Sequence, residues 1–134
     1  MSRLLLFINT TDFHKLELAV ISGEKIYKLE KNLEFNENFK TLGLIEKFLA
    51  KHKLKLKDVN KIIVCSGPGS FTGIRVGVSL AQALGFGLNI PVVAIPKNKL
   101  PKDLRKLSTI KLASKLTLHY GAKPKITKPK KETR

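Results

Sequence analysis

A glycine-rich turn carries the residue types best suited to chemistry in this sequence. It consists of Gly67, Pro68, Gly69, Ser70, Phe71, Thr72 and Gly73. Its glycines permit backbone angles closed to other residues, and Ser70 or Thr72 can cap a following helix by accepting hydrogen bonds from its first N–H groups. A helix N-terminus presented in this way suits a phosphate or a carboxylate. The turn lacks the lysine of a P-loop and the spacing of a dinucleotide-binding fingerprint, so tight packing is the favoured interpretation and anion binding stays open.

The other reactive residue types are scattered along the chain. His14 and Glu17 lie near a predicted hairpin without a nucleophile, and Cys65 lies in an apolar segment where a small buried residue is expected. The three histidines, which are His14, His52 and His119, and the single cysteine offer no metal-ligand spacing. The sequence therefore predicts no catalytic group, no metal site and no cofactor of its own.

The chain of 134 residues is strongly basic, with 26 Lys and Arg against 10 Asp and Glu and a net charge of +16. Residues 1–96 contain 13 basic and 8 acidic residues, whereas residues 97–134 contain 13 and 2. Such a balance favours a polyanion or an acidic protein as partner. The length fits one domain, and the apolar segment at residues 4–8 is too short for a signal sequence or a membrane span. We therefore expect a cytoplasmic protein with no membrane contact.

The last residues, 122–134, alternate lysine with proline, which disfavours a helix and predicts an extended arm. Its lysines could contact RNA phosphates, which would make binding weaken with salt. They are Lys123, Lys125, Lys128, Lys130 and Lys131. No aromatic side chain lies among them to stack on a base, so a solvated tail is the favoured alternative.

Hydrophobic periodicity predicts strands and helices in the order β-β-β-α-β-α-β, typical of a mixed α/β sheet with helices covering its parallel part. The predicted strands cover residues 3–8, 16–22, 25–31, 62–65 and 91–95, and the predicted helices cover 39–52 and 72–88. The hairpin is predicted from the turn signal Ser22-Gly23-Glu24. A further basic amphipathic helix is predicted at about 102–118.

The helix at 72–88 is apolar almost all round, which indicates burial on two sides. The sheet covers one side, and we expect another protein to cover the other, with small residues admitting a partner helix. The predicted partner interface is Arg75, Gly77, Val78 and Ala81, with Leu42, Ile45 and Leu49 from the helix beside it. The alternative is an internal cover by the helix at 102–118.

At these residues the sequence resembles the TsaB (YeaZ) family. Residues 67–77 read GPGSFTGIRVG, which is similar to the family motif GPGSFTGLR-(I/V)-G, and the following LAQALGFGLNIPVVAI is similar to its helix and next strand. The resemblance implies an actin-like, ribonuclease-H-like fold for residues 1–96. It also implies a non-catalytic scaffold that pairs with TsaD, the subunit expected to hold ATP and Mg²⁺, in forming threonylcarbamoyladenosine at position 37 of tRNAs reading ANN codons. TsaE as a further partner, and a homodimer through the same helices, are left open.

Two departures from the family pattern bear on these expectations. The family's first strand usually ends in Asp-Thr-(Ala/Ser), whereas this chain has Asn9-Thr10-Thr11, and an amide lowers the prospect of metal and nucleotide chemistry there. Family members usually continue through a second domain, whereas residues 97–134 look like a basic remnant of one. Part of the remnant resembles the family's extreme C-terminus, with matches at Tyr120, Pro124, Ile126, Thr127 and Pro129. Two other functions are weighed against the scaffold: a basic RNA-binding module that acts alone, and a small phosphotransferase that uses the glycine-rich turn.

Overall fold

The computed structural model describes residues 3–12, 14–34 and 40–109. These residues form five strands and two α-helices. The strands are β1 (Leu5–Asn9), β2 (Lys15–Ser22), β3 (Lys25–Asn32), β4 (Lys61–Cys65) and β5 (Val92–Ile95). The helices are α1 (Thr41–Lys51) and α2 (Phe71–Leu88). The predicted element order through residue 95 is confirmed, with bounds that differ by one or two residues.

The strands form one mixed sheet in the order β3-β2-β1-β4-β5. β2 runs antiparallel to β1 and β3, whereas β4 is parallel to both β1 and β5. In the register, Phe7 lies opposite Ala19 on one side and Ile63 on the other. The central strands β1 and β4 are apolar except at Asn9 and Lys61, as expected where both faces of the sheet are covered.

Both helices pack on the same face of the sheet. Ile45, Phe48 and Leu49 of α1 and Ala81 of α2 join the core that includes Leu6 and other residues of that face. The apolar residues of α1 recur at spacings of three and four, so one stripe of the helix is buried. The sheet therefore has a helical face, formed by alternate residues of each strand.

Residues 97–109 cover the opposite face. They contain two short 3₁₀ helices, Lys97–Lys99 and Leu104–Thr109, and the side chains of Leu104 and Leu107 pack on a core that includes Phe7 and Ile63. Arg105 ties this segment down by hydrogen bonding to Asp103 at 2.8 Å and to Glu24 of the β2–β3 turn at 3.5 Å. The hydrogen bonds from Arg105 lower the pKa of Asp103 to about 2. We refer to residues 97–109 as the strap.

The predicted helix at 102–118 is wrong over the part that the structure describes. Lys102 and Asp103 are not helical, and the strap continues as a 3₁₀ helix from Leu104 to Thr109. In the 3₁₀ helix, which has three residues per turn, Leu104 and Leu107 lie on one side and are both buried against the sheet. The remainder of that predicted helix, and the predicted arm at 122–134 with its five lysines, lie outside the described residues.

Candidate functional site: the glycine-rich turn and the outer face of α2

The glycine-rich turn joins the end of β4 to the start of α2. Gly67 and Gly69 have φ values of +111° and +159°, and the Gly67–Pro68 peptide bond is cis. Ser70 is the N-cap of α2, and its hydroxyl accepts from the Gly73 N–H at 3.0 Å. The capping role predicted for Ser70 is therefore confirmed, whereas Thr72 lies inside the first turn of the helix.

The segment after β1 packs directly into this turn. The Ser70 N–H donates to the Thr11 carbonyl at 2.7 Å, and the Thr10 hydroxyl donates to the Gly73 carbonyl at 2.5 Å. A Cβ atom on Gly69 would collide with Thr11, and one on Gly73 would collide with the Thr10 carbonyl oxygen. The glycines are needed because the backbones of Thr10 and Thr11 come this close to the turn.

These contacts favour tight packing over anion binding. The N–H groups of Ser70, Gly73 and Ile74 all donate to acceptors within the chain, so they are not directed at an external ligand. Thr10, which is 2% exposed, is the buried neighbour of the turn that the sequence did not predict. Small residues recur at every fourth position from Gly73, and this pattern predicts that something packs closely against α2. It does not predict that the packing residue is Thr10.

Asn9, which stands where the family usually has an aspartate, is held by two neighbours. Its Oδ1 accepts from the backbone N–H of Thr11 at 3.0 Å and from the Thr11 hydroxyl at 2.8 Å. Its Nδ2 donates to Glu17 Oε1 at 3.0 Å. An amide is the side chain that satisfies both neighbours, because an ionised carboxylate could accept from Thr11 but could not donate to Glu17.

Asn9→Asp is therefore expected to destabilise the chain by about 1–2 kcal/mol at neutral pH, because it replaces a hydrogen bond to Glu17 with two facing carboxylates. Thermal melts of the variant and the parent chain at neutral pH measure the effect. Adding Glu17→Gln removes the facing carboxylate and should restore stability, and a loss that persists in the double variant would contradict the account.

Cys65 lies at the end of β4 and is fully buried. Burial raises the pKa of its thiol, which keeps the sulfur protonated and poorly nucleophilic. The prediction of a small buried residue is confirmed. Within residues 3–12, 14–34 and 40–109, no group of three or more His, Cys, Asp or Glu side chains could hold a metal ion.

α2 turns its small residues to the sheet, packs Val78, Leu80 and Leu84 half-buried against the core, and exposes Phe71 and Phe86. The buried residues of this helix are Gly73, Gly77, Ala81 and Gly85, which recur at every fourth position. A Cβ atom on Gly77 would collide with Thr10, and Ala81 is 0% exposed in the core of the helical face. The prediction that Gly77 and Ala81 line a partner interface is wrong, because these residues allow the helix to approach its own sheet.

The interface residues predicted on α1 are also partly buried and partly exposed. Ile45 and Leu49 are fully buried beneath α1, so their assignment to an interface is wrong. Leu42 is 39% exposed. On α2, Arg75 is exposed and Val78 is half-buried. Leu42, Arg75 and Val78 therefore stay as predicted interface residues.

The outward side of α2 exposes a phenylalanine near each end of the helix, with polar residues between them. Phe71 and Phe86 are 73% and 78% exposed, and Arg75 lies 5.2 Å from the ring centre of Phe71. A groove of about 410 Å³ is lined by Phe71, Thr72, Arg75, Val76 and Ser79. We call Phe71, Thr72, Arg75, Ser79, Ala83 and Phe86 the outer face of α2; all six are exposed.

No described part of the strap covers this outer face. The strap packs on the opposite side of the sheet, against Phe7 and Ile63. α2, at 18 residues, is long and apolar enough to cross a membrane by length and composition alone. The contacts of Gly73, Gly77 and Ala81 with the sheet are those of a helix in an α/β layer.

Comparisons with known proteins agree with this architecture. Residues 35–99 match the family model TsaD, tRNA N6-adenosine threonylcarbamoyltransferase. The tRNA threonylcarbamoyladenosine biosynthesis protein TsaB of Buchnera aphidicola subsp. Schizaphis graminum is 39% identical over 95 residues, which are 71% of this chain and 45% of that protein. TsaB of Haemophilus influenzae is 38% identical over 73 residues, which are 54% of this chain and 30% of that protein. YeaZ from Pseudomonas aeruginosa has a TM-score of 0.64 at 24% identity, covering 70% of this chain and 44% of the other.

The sheet order, the two helices on one face and the likeness to YeaZ define an actin-like, ribonuclease-H-like domain. This confirms the fold that the sequence resemblance implied. The chain belongs to the TsaB (YeaZ) family. It spans less than half the length of the relatives described above, with 45% and 30% of the two TsaB proteins.

Proposed function

We propose that the chain is a TsaB-type subunit that pairs with TsaD in forming threonylcarbamoyladenosine at position 37 of tRNAs reading ANN codons. The names of its relatives support the pathway. The match of residues 35–99 to the TsaD family supports the choice of partner, because related domains can associate through equivalent surfaces. Nothing in the comparisons favours a basic RNA-binding module that acts alone.

The outer face of α2 is the observation that carries this proposal. Two phenylalanine side chains more than 70% exposed lie at the two ends of an 18-residue helix, and aromatic side chains left exposed in this way are typical of a protein-protein interface. Arg75 lies between them on the same surface, and aromatic residues and arginine are the types enriched at such interfaces. We assign the pairing surface to this outer face together with Leu42 at the start of α1.

In this proposal the chain is an accessory subunit and TsaD performs the transfer. Asn9 stands at the end of β1, and its side chain is occupied by Thr11 and Glu17, which supports a structural and not a metal-binding role. ATP and Mg²⁺ are placed in TsaD, and tRNA is reached through the complex. The complex is placed in the cytoplasm, where TsaE is a further candidate partner and a homodimer through the outer face is a competing arrangement.

The isolated chain is expected to show neither ATP hydrolysis nor threonylcarbamoyl transfer, because the Ser70 hydroxyl is used as a helix cap and the Asn9 amide stands where the family usually has an acid. Transfer to a tRNA reading ANN codons should appear when TsaD from the same organism is added. Size-exclusion chromatography with light scattering measures the pairing, and nucleoside analysis of the tRNA measures the product. Turnover by the isolated chain, or failure of the two proteins to co-elute, would overturn the proposal.

A further inference from the structure

A stacked aromatic pair lies where edge strand β3 meets the end of α1. The rings of Tyr27 and His52 are 4.0 Å apart and nearly parallel, at 16°. His52 also contacts buried Phe48 edge-on, with centres 5.3 Å apart. The pair is thus anchored on the core at one end, while Tyr27 is 40% exposed at the other. It is a fixed aromatic platform at the surface.

Lysines surround this pair on both elements. Lys25 and Lys31 lie two and four residues from Tyr27 on β3, and residues at such spacings point to the same face of a strand. Lys51, Lys53 and Lys55 flank His52 in the segment that leaves α1. All five lysines are exposed. We call Lys25, Lys31, Lys51, Lys53 and Lys55 the lysine strip.

The chain keeps acidic side chains away from most of the strip. Glu30 points to the opposite face of β3 and pairs with Lys15 at 4.0 Å, and Glu24 is engaged by Arg105. The Asp58 carboxylate accepts from the backbone N–H of Lys55 at 2.9 Å, so it is the acidic group next to that end of the strip. The segment from Lys51 to Lys57 contains no acidic residue, so the surface around the aromatic pair is positive.

Local stability accounts for part of this pattern only. Lys51 lies in the last turn of α1, where a cation interacts favourably with the helix dipole. Lysines on an edge strand also discourage pairing with another sheet. Neither effect requires a half-exposed tyrosine between the lysines. Leu54 and Leu56 already pack against the core here, so Tyr27 is not needed to cover it.

We infer that the lysine strip and Tyr27 form a contact surface for an unpaired stretch of RNA, with the lysines on the phosphates and a base stacked on Tyr27. Aromatic side chains framed by cations are the usual means of holding unstacked bases without reading their sequence. A membrane surface fits less well, because the apolar side chains among these lysines, Leu54 and Leu56, pack into the core and do not project. This inference rests on the proposed function, in which the complex must reach a tRNA.

The test uses the full chain and a fluorescent stem-loop RNA whose loop is unpaired. Lys51→Gln/Lys53→Asn/Lys55→Gln should reduce the slope of log K against log salt by about two, at roughly 0.7 per single-stranded phosphate contact. Asn is chosen at Lys53 because its φ of +62° is left-handed, which Asn tolerates. The matched control is Lys99→Gln/Lys102→Gln/Lys106→Gln, which removes three exposed lysines from the strap and should change the slope much less.

The predicted stacking of a base on Tyr27 is tested separately, by RNA affinity and by tyrosine fluorescence. Tyr27→Leu should weaken binding about tenfold, whereas Tyr27→Phe should leave it unchanged. The sequence has two tyrosines and no tryptophan, so in a Tyr120→Phe background the intrinsic fluorescence reports Tyr27 alone and should be quenched by the RNA.

Several outcomes overturn the inference: absence of RNA binding, equal slopes for the two lysine variants, unchanged affinity of Tyr27→Leu, or equally tight binding of anionic vesicles through the same lysines. Pairing with TsaD is measured separately. A parent chain that pairs with TsaD but does not bind RNA therefore refutes this inference alone, and a parent chain that does not pair refutes the proposed function.

Discussion

Gly73→Ala is expected to destabilise the chain by about 3 kcal/mol, as overpacking does when the neighbouring atoms cannot move away. The new methyl group would collide with the Thr10 carbonyl oxygen. That carbonyl belongs to backbone fixed between β1 and the glycine-rich turn, where Thr10 also donates to Gly73 and Thr11 accepts from Ser70. The collision must therefore separate α2 from the end of β1.

Gly87→Ala is the matched control for this prediction. Gly87 lies in the last turn of the same helix, and a Cβ atom there would meet nothing within 4 Å. Alanine should stabilise the chain by about 0.5–1 kcal/mol, because it removes the backbone freedom that glycine has in the unfolded state. Urea unfolding followed by circular dichroism measures both. Equal effects of the two substitutions would mean that the contact with Thr10 is not close in the folded protein.

Ala83→Arg is expected to leave the fold intact and weaken pairing with TsaD by about a hundredfold, or roughly 3 kcal/mol, because it buries an unpaired charge in the interface. Ala83 lies on the outer face of α2, where it is exposed in the chain alone. Ala81→Arg places the same side chain two residues away on the buried side, at 0% exposure. That variant should unfold the chain itself.

Melting curves and light scattering with TsaD separate these outcomes. The assignment of the outer face requires that Ala83→Arg melts like the parent chain and fails to co-elute with TsaD. If Ala83→Arg pairs normally, the partner lies elsewhere and the exposure of Phe71 and Phe86 needs another explanation. The same melting curves test which side of α2 faces the sheet. A stable Ala81→Arg protein would show that Ala81 does not face the sheet.

The sequence was sufficient for the strand and helix order because its periodicities are strong. The unbroken apolar run at Ile62–Cys65 is typical of a strand covered on both faces, and the turn signal at Gly23 is typical of a hairpin between neighbouring strands. The glycine-rich turn was recognised from its residue types, and the Ser70 cap follows from the same pattern. These are local properties that depend on a few consecutive residues.

The side of α2 that faces the sheet could not be predicted, because hydrophobic periodicity depends on the polarity of side chains and not on their volume. A helix apolar almost all round has no preferred side on a hydrophobicity scale, and its side is chosen by the space available against the sheet. Thr10 occupies that space, and its contacts with Gly73 and Gly77 cross more than sixty residues of sequence. The 3₁₀ form of residues 104–109 was missed for a similar reason, since the leucine spacing fits either kind of helix and the contacts of Leu104 and Leu107 are with distant strands of the sheet.

The exposed phenylalanines of α2 give the protein two opposite responses to ionic strength. Added salt screens the net charge of +16 and removes the mutual repulsion that keeps copies of the chain apart. Apolar association through Phe71 and Phe86 is not weakened by that screening, whereas contacts between lysines and a polyanion are. A chain without its partner should therefore be most soluble at low salt and self-associate as the salt concentration rises. Its solubility at high salt during purification then indicates whether a partner covers the outer face of α2.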